Sequence, residues 1–380
     1  MIYLDSAATT LQKPPQVSRA MAWAAGRLAS PGRGGHPAAM AAAETAFACR
    51  SAAAALFQAP DPERVVFTSN ATHALNIAIR TLVRPGSTVL ISGFEHNAVT
   101  RTLASIPGVR VRVARGSLFQ PDTFLQEWRD HLSGVDAAIC NHVSNVFGYI
   151  LPVAEAAGMC RQQGVPFILD ASQSAGCLPV SMEALGAAFI AMPGHKGLYG
   201  PQGTGLLLCG MDGEPIITGG TGSLSAQAEM PDFLPDRLEA GTHNMPGIAG
   251  LLEGIRFVQR MGTERILSHE VQLARRLAEG LDRIPGVEVF ARPGLPHQAG
   301  VVSFRTGGLD VEELGDRLGR AGFAVRAGLH CAPVAHETVG TLESGTVRVS
   351  FSAFNQPREA EQFVMAVRRM VQRPAGSKSQ

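Results

Sequence analysis

Lysine is almost missing from this 380-residue chain. Lys13, Lys196 and Lys378 are the only three among 33 basic Lys and Arg residues, so arginine carries nearly all the positive charge. Aromatic residues are also sparse at 6%, the net charge is only +1, and no basic run exceeds two residues. That composition excludes the electrostatic footprint of a nucleic-acid-binding protein. No apolar stretch reaches 18 residues, because the Ala-rich segment 38–59 is interrupted by Glu44, Cys49, Arg50 and Gln58, and no membrane-spanning helix is expected. MIYLDSAATT lacks the charged and apolar regions of a secretory leader, so a cytoplasmic protein is expected. The six cysteines (49, 140, 160, 177, 209, 331) form no CxxC pair, which argues against a zinc site or a disulfide framework. Buried reduced thiol is the expectation for most of them.

What remains is the composition of an ordinary globular protein, 45% hydrophobic and 17% charged, long enough for two domains. Between about residue 60 and 210, short β-branched runs alternate with helical stretches. Strands are expected at 65–68, 88–92, 109–113, 137–140, 167–170, 189–192 and 205–209, and helices at 71–82, 97–105, 122–132 and 154–163. Such alternation predicts βαβ units, a mainly parallel sheet between helices, and a ligand crevice beyond the strands' carboxyl ends. After about residue 247, amphipathic helices (248–261, 264–283) lead into a small α+β pattern with strands at 287–290, 300–305 and 346–351 and helices at 311–321 and 357–369. The expected organisation is an N-terminal segment (1–15), a large domain (16–247), a small domain (248–372) and a disordered tail (373–380).

Lys196 lies in PGHKGLYGPQGTG, directly after one expected strand. Arginine stays protonated in proteins, whereas a buried lysine can become the neutral amine that imine chemistry requires. Asp170 ends the apolar run VPFIL, 26 positions earlier. An aspartate there could cap a helix or bind a metal. It also suits pyridoxal phosphate, whose pyridine nitrogen needs a carboxylate partner. SNATHALN reads as a strand, a turn and a helix N-terminus whose amides and Thr72 hydroxyl would hold a phosphate.

Taken in order, YLDSAATT, NATHALN, EHNA, SNVFG, DASQSAG, GHKGLYGPQGTG, EAGTHN, RAGLHCAP and VRVSF span essentially the whole chain. In them the sequence resembles the class V aminotransferases, pyridoxal-phosphate enzymes of fold type I, and within them the cysteine desulfurases of the selenocysteine-lyase-like branch. The resemblance implies a seven-stranded, mainly parallel sheet in the large domain. It implies that Lys196 bonds to the cofactor and moves the substrate proton, Asp170 pairs with the ring nitrogen, Gln173 reaches the phenolic oxygen and His96 stacks on the ring. Ala71, Thr72 and His195 would hold the phosphate, with Thr242 reaching in from the other subunit of a homodimer. Asn145 and Arg348, with Ala8 nearby, would bind the substrate carboxylate.

Cys331 sits between Arg326 and His330 on one side and Pro333 on the other, an electropositive setting that favours a thiolate. The resemblance implies that it takes sulfur from L-cysteine as a persulfide, releasing L-alanine, for an acceptor protein or small thiol. Only 17 positions separate Cys331 from Arg348, which predicts a tethered loop of restricted reach. A selenocysteine lyase, or a class V transaminase or β-lyase that does not use Cys331, is the alternative, and a non-catalytic relay protein a more distant one. HCAPVAH lacks metal-site spacing, and PGHKG lacks the flanks of a Walker loop. Two residues depart from the family pattern: Pro193 offers the phosphate no hydroxyl where a serine is usual, and Tyr149 either narrows the substrate mouth or packs.

Overall fold

The computed structural model describes residues 1–372 other than Arg33, Pro293 and Leu295, so the tail expected to be disordered lies outside the described residues. Seven strands form the large sheet: β2 (Val65–Thr68), β3 (Thr88–Ser92), β4 (Arg110–Ala114), β5 (Ala137–Asn141), β6 (Phe167–Asp170), β7 (Phe189–Pro193) and β8 (Gly205–Cys209). Their spatial order is β2-β8-β7-β6-β5-β3-β4. β4, β3, β5, β6 and β7 are parallel, whereas β8 is antiparallel to both β7 and β2. The eleven residues 194–204 between β7 and β8 are too few for a helical crossover, so the chain has to turn back.

Every residue of β3, β5, β6, β7 and β8 is buried, because helices cover both faces. Leu90, Ala138, Leu169 and Ile190 pack towards the helices Pro37–Phe57, Pro121–Leu132 and Val153–Gln162. Their neighbours Val89, Ile91, Ile139 and Ile168 face the helices Ala71–Leu82 and Asn97–Ala104. The period-two alternation of a strand thus divides one apolar run between two cores.

A second, antiparallel sheet has the order β12 (Arg326–Gly328), β13 (Thr346–Ser350), β10 (Val301–Thr306), β9 (Val287–Phe290). Leu273, Leu277, Leu314, Leu318, Phe363 and Val367 from the helices Thr263–Asp282, Val311–Arg320 and Pro357–Gln372 pack on it. The chain's first strand, β1 (Ile2–Tyr3), pairs in parallel with β11 (Phe323–Ala324), and Asp5 bridges to Ser350. The N-terminal segment is therefore stitched to elements more than 300 residues away before it crosses to the large sheet.

The sequence pattern leaves several elements out. β1, β11 and β12 are too short to show periodicity, and the Ala-rich helix Pro37–Phe57 carries little contrast between its faces. Helix Met245–Met261 starts before the expected residue 248, capped by Asn244, and packs against helices Pro15–Arg27 and Pro37–Phe57.

The turn after β6 and the turn after β7 meet backbone to backbone. Gly176 has φ +98°, and a methyl group there would run into the Gly197 carbonyl, while one on Gly197 would strike the Ala175 carbonyl. Gly176→Ala is expected to cost about 2 kcal/mol or more, with the urea midpoint as the readout. Gly26→Ala, in an exposed helical position with open space around it, is expected to be neutral or mildly stabilising in the same assay.

Candidate active site

Because β2 runs in the same direction as β7, the polar segments after β2, β3, β5, β6 and β7 all emerge at one edge of the large sheet. There Ala71, Thr72, His96, Asn145, Asp170, Gln173, His195 and Lys196 line a single cleft of about 110 Å³. Asp170 closes β6, and its Oδ1 accepts a hydrogen bond from the Ser172 amide at 2.9 Å. Asn70 caps the helix Ala71–Leu82 by accepting from the His73 amide at 2.8 Å. The Ala71 and Thr72 amides, in the first helical turn, have no intrahelical acceptor.

The N-terminal segment clamps the lysine turn from the other side. Thr10 Oγ1 donates to the carbonyls of His195 (3.0 Å) and Lys196 (3.2 Å), and Lys13 Nζ donates to Thr10 Oγ1 (2.6 Å) and the His195 carbonyl (3.0 Å). Gln173 Nε2 donates to the Ala7 carbonyl at 2.9 Å, and the Ala8 amide turns back to Asp5 O at 3.0 Å. Ala8 belongs to this strap and is not among the residues lining the cleft.

Arg348, only 2% exposed, stands one residue behind the cleft. Its Nη1 donates to the Asn145 carbonyl at 2.9 Å and its Nη2 to Asp5 Oδ1 at 2.7 Å. Its Nε and the Asn145 Oδ1 are buried without a hydrogen-bond partner. Cys331 is exposed, while the other five cysteines are buried, as expected of them. The Cys331 segment is tied to the cleft at two points: the Asn97 amide donates to the Cys331 carbonyl at 2.7 Å, and Asn145 Nδ2 to the His330 carbonyl at 2.8 Å. His330 and Cys331 both adopt positive φ, 51° and 56°. Thr242 lies outside the cleft of its own chain, in a separate pocket with Phe67 and His243.

Burial sets the protonation states. It lowers Lys196 to about 8, with the Asp170 charge opposing the shift. His96 falls to about 4, through burial and then the Lys196 charge, and is neutral at pH 7. Its Nδ1 accepts from the Ala98 amide at 3.0 Å, which assigns the proton to Nε2. His195 is likewise lowered to about 4 by burial. His330 is held well below its ordinary value, chiefly by burial and then by Arg348, so the histidine adds no positive charge beside Cys331.

A helix start whose first amides remain open to an anion, a buried carboxylate and a lysine amine within reach of neutrality fit pyridoxal phosphate. Among the described residues no group of three His, Cys, Asp or Glu is placed to hold a metal. His336 Nδ1 pairs with Thr341 Oγ1 at 2.7 Å, and His330 Nε2 with Thr346 Oγ1 at 3.1 Å. Tyr149 packs: it is fully buried, edge-on to Phe94 (5.2 Å) and Phe119 (5.6 Å). Pro193 does line the cleft, and it brings no hydroxyl.

Sequence reasoning missed Asp5, Lys13 and Glu270. Lys13 was marked only by lysine scarcity. Glu270 carried a clearer signal, since it falls on the apolar stripe Ile266–Leu273–Leu277 of its helix. It lines a small cavity together with Ser6, Thr10, Gln173, Cys177 and Lys196.

The class V aminotransferase family model matches residues 2–363, and the chain belongs to that family. Within it the chain is cysteine desulfurase-like. It is 32% identical to a probable cysteine desulfurase of Methanothermobacter thermautotrophicus, over 95% of this chain and 92% of that protein. It is also 32% identical to one of Xylella fastidiosa, over 97% of this chain and 90% of that protein. The fold matches the apo structure of a cysteine desulfurase from Thermococcus onnurineus with a TM-score of 0.88 and 31% identity, covering 97% and 94% of the two chains. The cysteine desulfurase CsdA of Escherichia coli, solved as the S-sulfonic acid, gives 0.84 and 26% over 97% and 94%. These structures carry the expected α/β architecture, with its mainly parallel central sheet, over to this chain.

Burial raises Glu270 to about 8. Between its unfolded value near 4.5 and 8 the folded state holds a proton that the unfolded state has lost, so this contribution to stability is full below pH 4.5 and fades as pH rises to 8. Glu270→Gln is therefore expected to lose less stability than the parent protein between pH 5 and 8, by at least ~1 kcal/mol in paired denaturant titrations. Parallel pH curves for the two proteins would refute the assignment.

Proposed function

We propose that this chain is a pyridoxal-phosphate-dependent cysteine desulfurase that converts L-cysteine to L-alanine and leaves the sulfur on Cys331. The observation that carries the reading is the pairing of Lys196 and Asp170 in one cleft with an exposed cysteine tied to its rim through Asn97 and Asn145.

Bound in the cleft, pyridoxal phosphate supplies an electron sink for charge developing at the substrate Cα. The Ala71 and Thr72 amides, the Thr72 hydroxyl and His195 would hold its phosphate, Asp170 would pair with its ring nitrogen, Gln173 would reach its phenolic oxygen and His96 would stack on its ring. Thr242 of a second copy completes the phosphate site, which makes the active enzyme a homodimer. Asn145 and Arg348 take the substrate carboxylate in charge-assisted hydrogen bonds. Lys196 Nζ, as the neutral amine, removes the Cα proton and returns it. Cys331 Sγ forms a bond to the substrate sulfur as the Cβ–S bond breaks, and a proton fills the vacated position on Cβ. The sum is L-cysteine plus thiol giving L-alanine plus persulfide, with no external oxidant or reductant.

The two hydrogen bonds on the Cys331 segment limit its travel and favour delivery to an acceptor protein or small thiol that comes to the rim. No described helix is long and apolar enough to cross a membrane. We assign the protein to the cytoplasm.

Product analysis with L-cysteine and L-selenocysteine tests the reading. The purified enzyme is expected to form alanine from L-cysteine, and Cys331→Ala to lose that activity by ~100-fold or more while keeping its cofactor. A variant as active as the parent on L-cysteine would rule out the persulfide route. Loss on L-cysteine with full activity on L-selenocysteine would favour the selenocysteine lyase reading. Because Lys196 must be neutral to react, recombination of apoprotein with pyridoxal phosphate should accelerate as pH rises through about 8 and then level off.

A further inference from the structure

Arg348 is a buried cation, and among the described residues Asp5 is its one ion-pair partner, at 2.7 Å. Asp5 is held by backbone from several sides. It bridges in parallel to Ser350, the Ser350 amide donates to the Leu4 carbonyl at 2.8 Å, and the Leu4 amide to the Ala324 carbonyl at 2.9 Å. Ser350 lies two residues along β13 from Arg348, so both side chains leave the same face of the strand. The other Asp5 oxygen meets Arg326 Nε at 3.3 Å. Two guanidiniums therefore share one carboxylate, and a single positive charge remains uncompensated beside the cleft.

With Nη1 on the Asn145 carbonyl and Nη2 on Asp5, the planar guanidinium has little rotational freedom. Nε is the guanidinium nitrogen that has no hydrogen-bond partner among the described residues.

We propose that Asp5 is a positioning and specificity residue: through Arg348 it orients the guanidinium and trims the subsite to one net positive charge, suited to a substrate with a single carboxylate. The proposal rests on the reading of Arg348 as the carboxylate-binding residue. A purely structural Asp5, serving only to anchor the N-terminal segment, would alter melting without altering carboxylate recognition.

The experiment is a double-mutant cycle on the holoenzyme with Asp5→Asn, which keeps the shape and loses the charge, Arg348→Lys, and the pair. Asp5→Asn is expected to raise KM for L-cysteine ~10-fold with kcat within ~3-fold, and to add little further loss in the Arg348→Lys background. In cofactor-free protein, phenylglyoxal should label Arg348 several-fold faster in Asp5→Asn, as read by mass spectrometry. Asp5→Glu, which moves the charge by one methylene, should give an intermediate KM and serves if Asp5→Asn folds poorly. Unchanged KM and labelling in Asp5→Asn, or strict additivity with Arg348→Lys, overturns the proposal. Unchanged KM in Arg348→Lys instead overturns the reading of Arg348 itself.

Discussion

The contact on which the site depends is the close approach of two turns, Asp170–Cys177 after β6 and Pro193–Gly200 after β7. Glycine faces carbonyl on both sides, at Gly176 against Gly197 and at Gly197 against Ala175, and any side chain at either glycine would wedge the turns apart. Because β6 and β7 are adjacent and parallel, their carboxyl ends already lie side by side. The glycine contact then folds the residues following both strands over the same edge, bringing Lys196 to the cleft that Asp170 closes. The Thr10 and Lys13 hydrogen bonds to the His195 and Lys196 carbonyls hold the lysine turn from its outer side.

Burial then decides which groups around that contact carry charge. His96, His142 and His195 are all driven down to about 4, while Glu95 and Glu270 are driven up to about 8. Each would be expensive to ionise away from water. At neutral pH the field in the cleft comes from Asp170, the Asp5–Arg348–Arg326 group, Arg101, Lys13 and a lysine poised near its own transition. A site built this way can bind an anionic substrate and still keep an amine ready to lose its proton.

Much of this was legible in the linear pattern. Val65–Thr68, Phe167–Asp170 and Gly205–Cys209 announce themselves as apolar runs bounded by polar or glycine-rich segments, and the rule that ligands gather at strand carboxyl ends points to Asp170, Thr72 and Lys196. The direction of β8 was also implicit, since eleven residues cannot cross over. Asp5 and Lys13 were not legible, because their partners lie 343 and 182 positions away and no local periodicity encodes such pairing. Thr242 shows the same limit differently: the motif EAGTHN names it, but the single chain leaves it in a pocket of its own.

The sequence alone determined the architecture, the place of the lysine after a strand end and the presence of one cysteine unlike the other five, because strand pattern, residue type and loop punctuation are local properties. Only the tertiary structure decided that the chain's first dozen or so residues clamp the lysine turn from behind the cleft, that Arg348 shares a carboxylate with Arg326, and that His330 is neutral. Those outcomes depend on distance and burial, which arise only when remote segments pack together and exclude water.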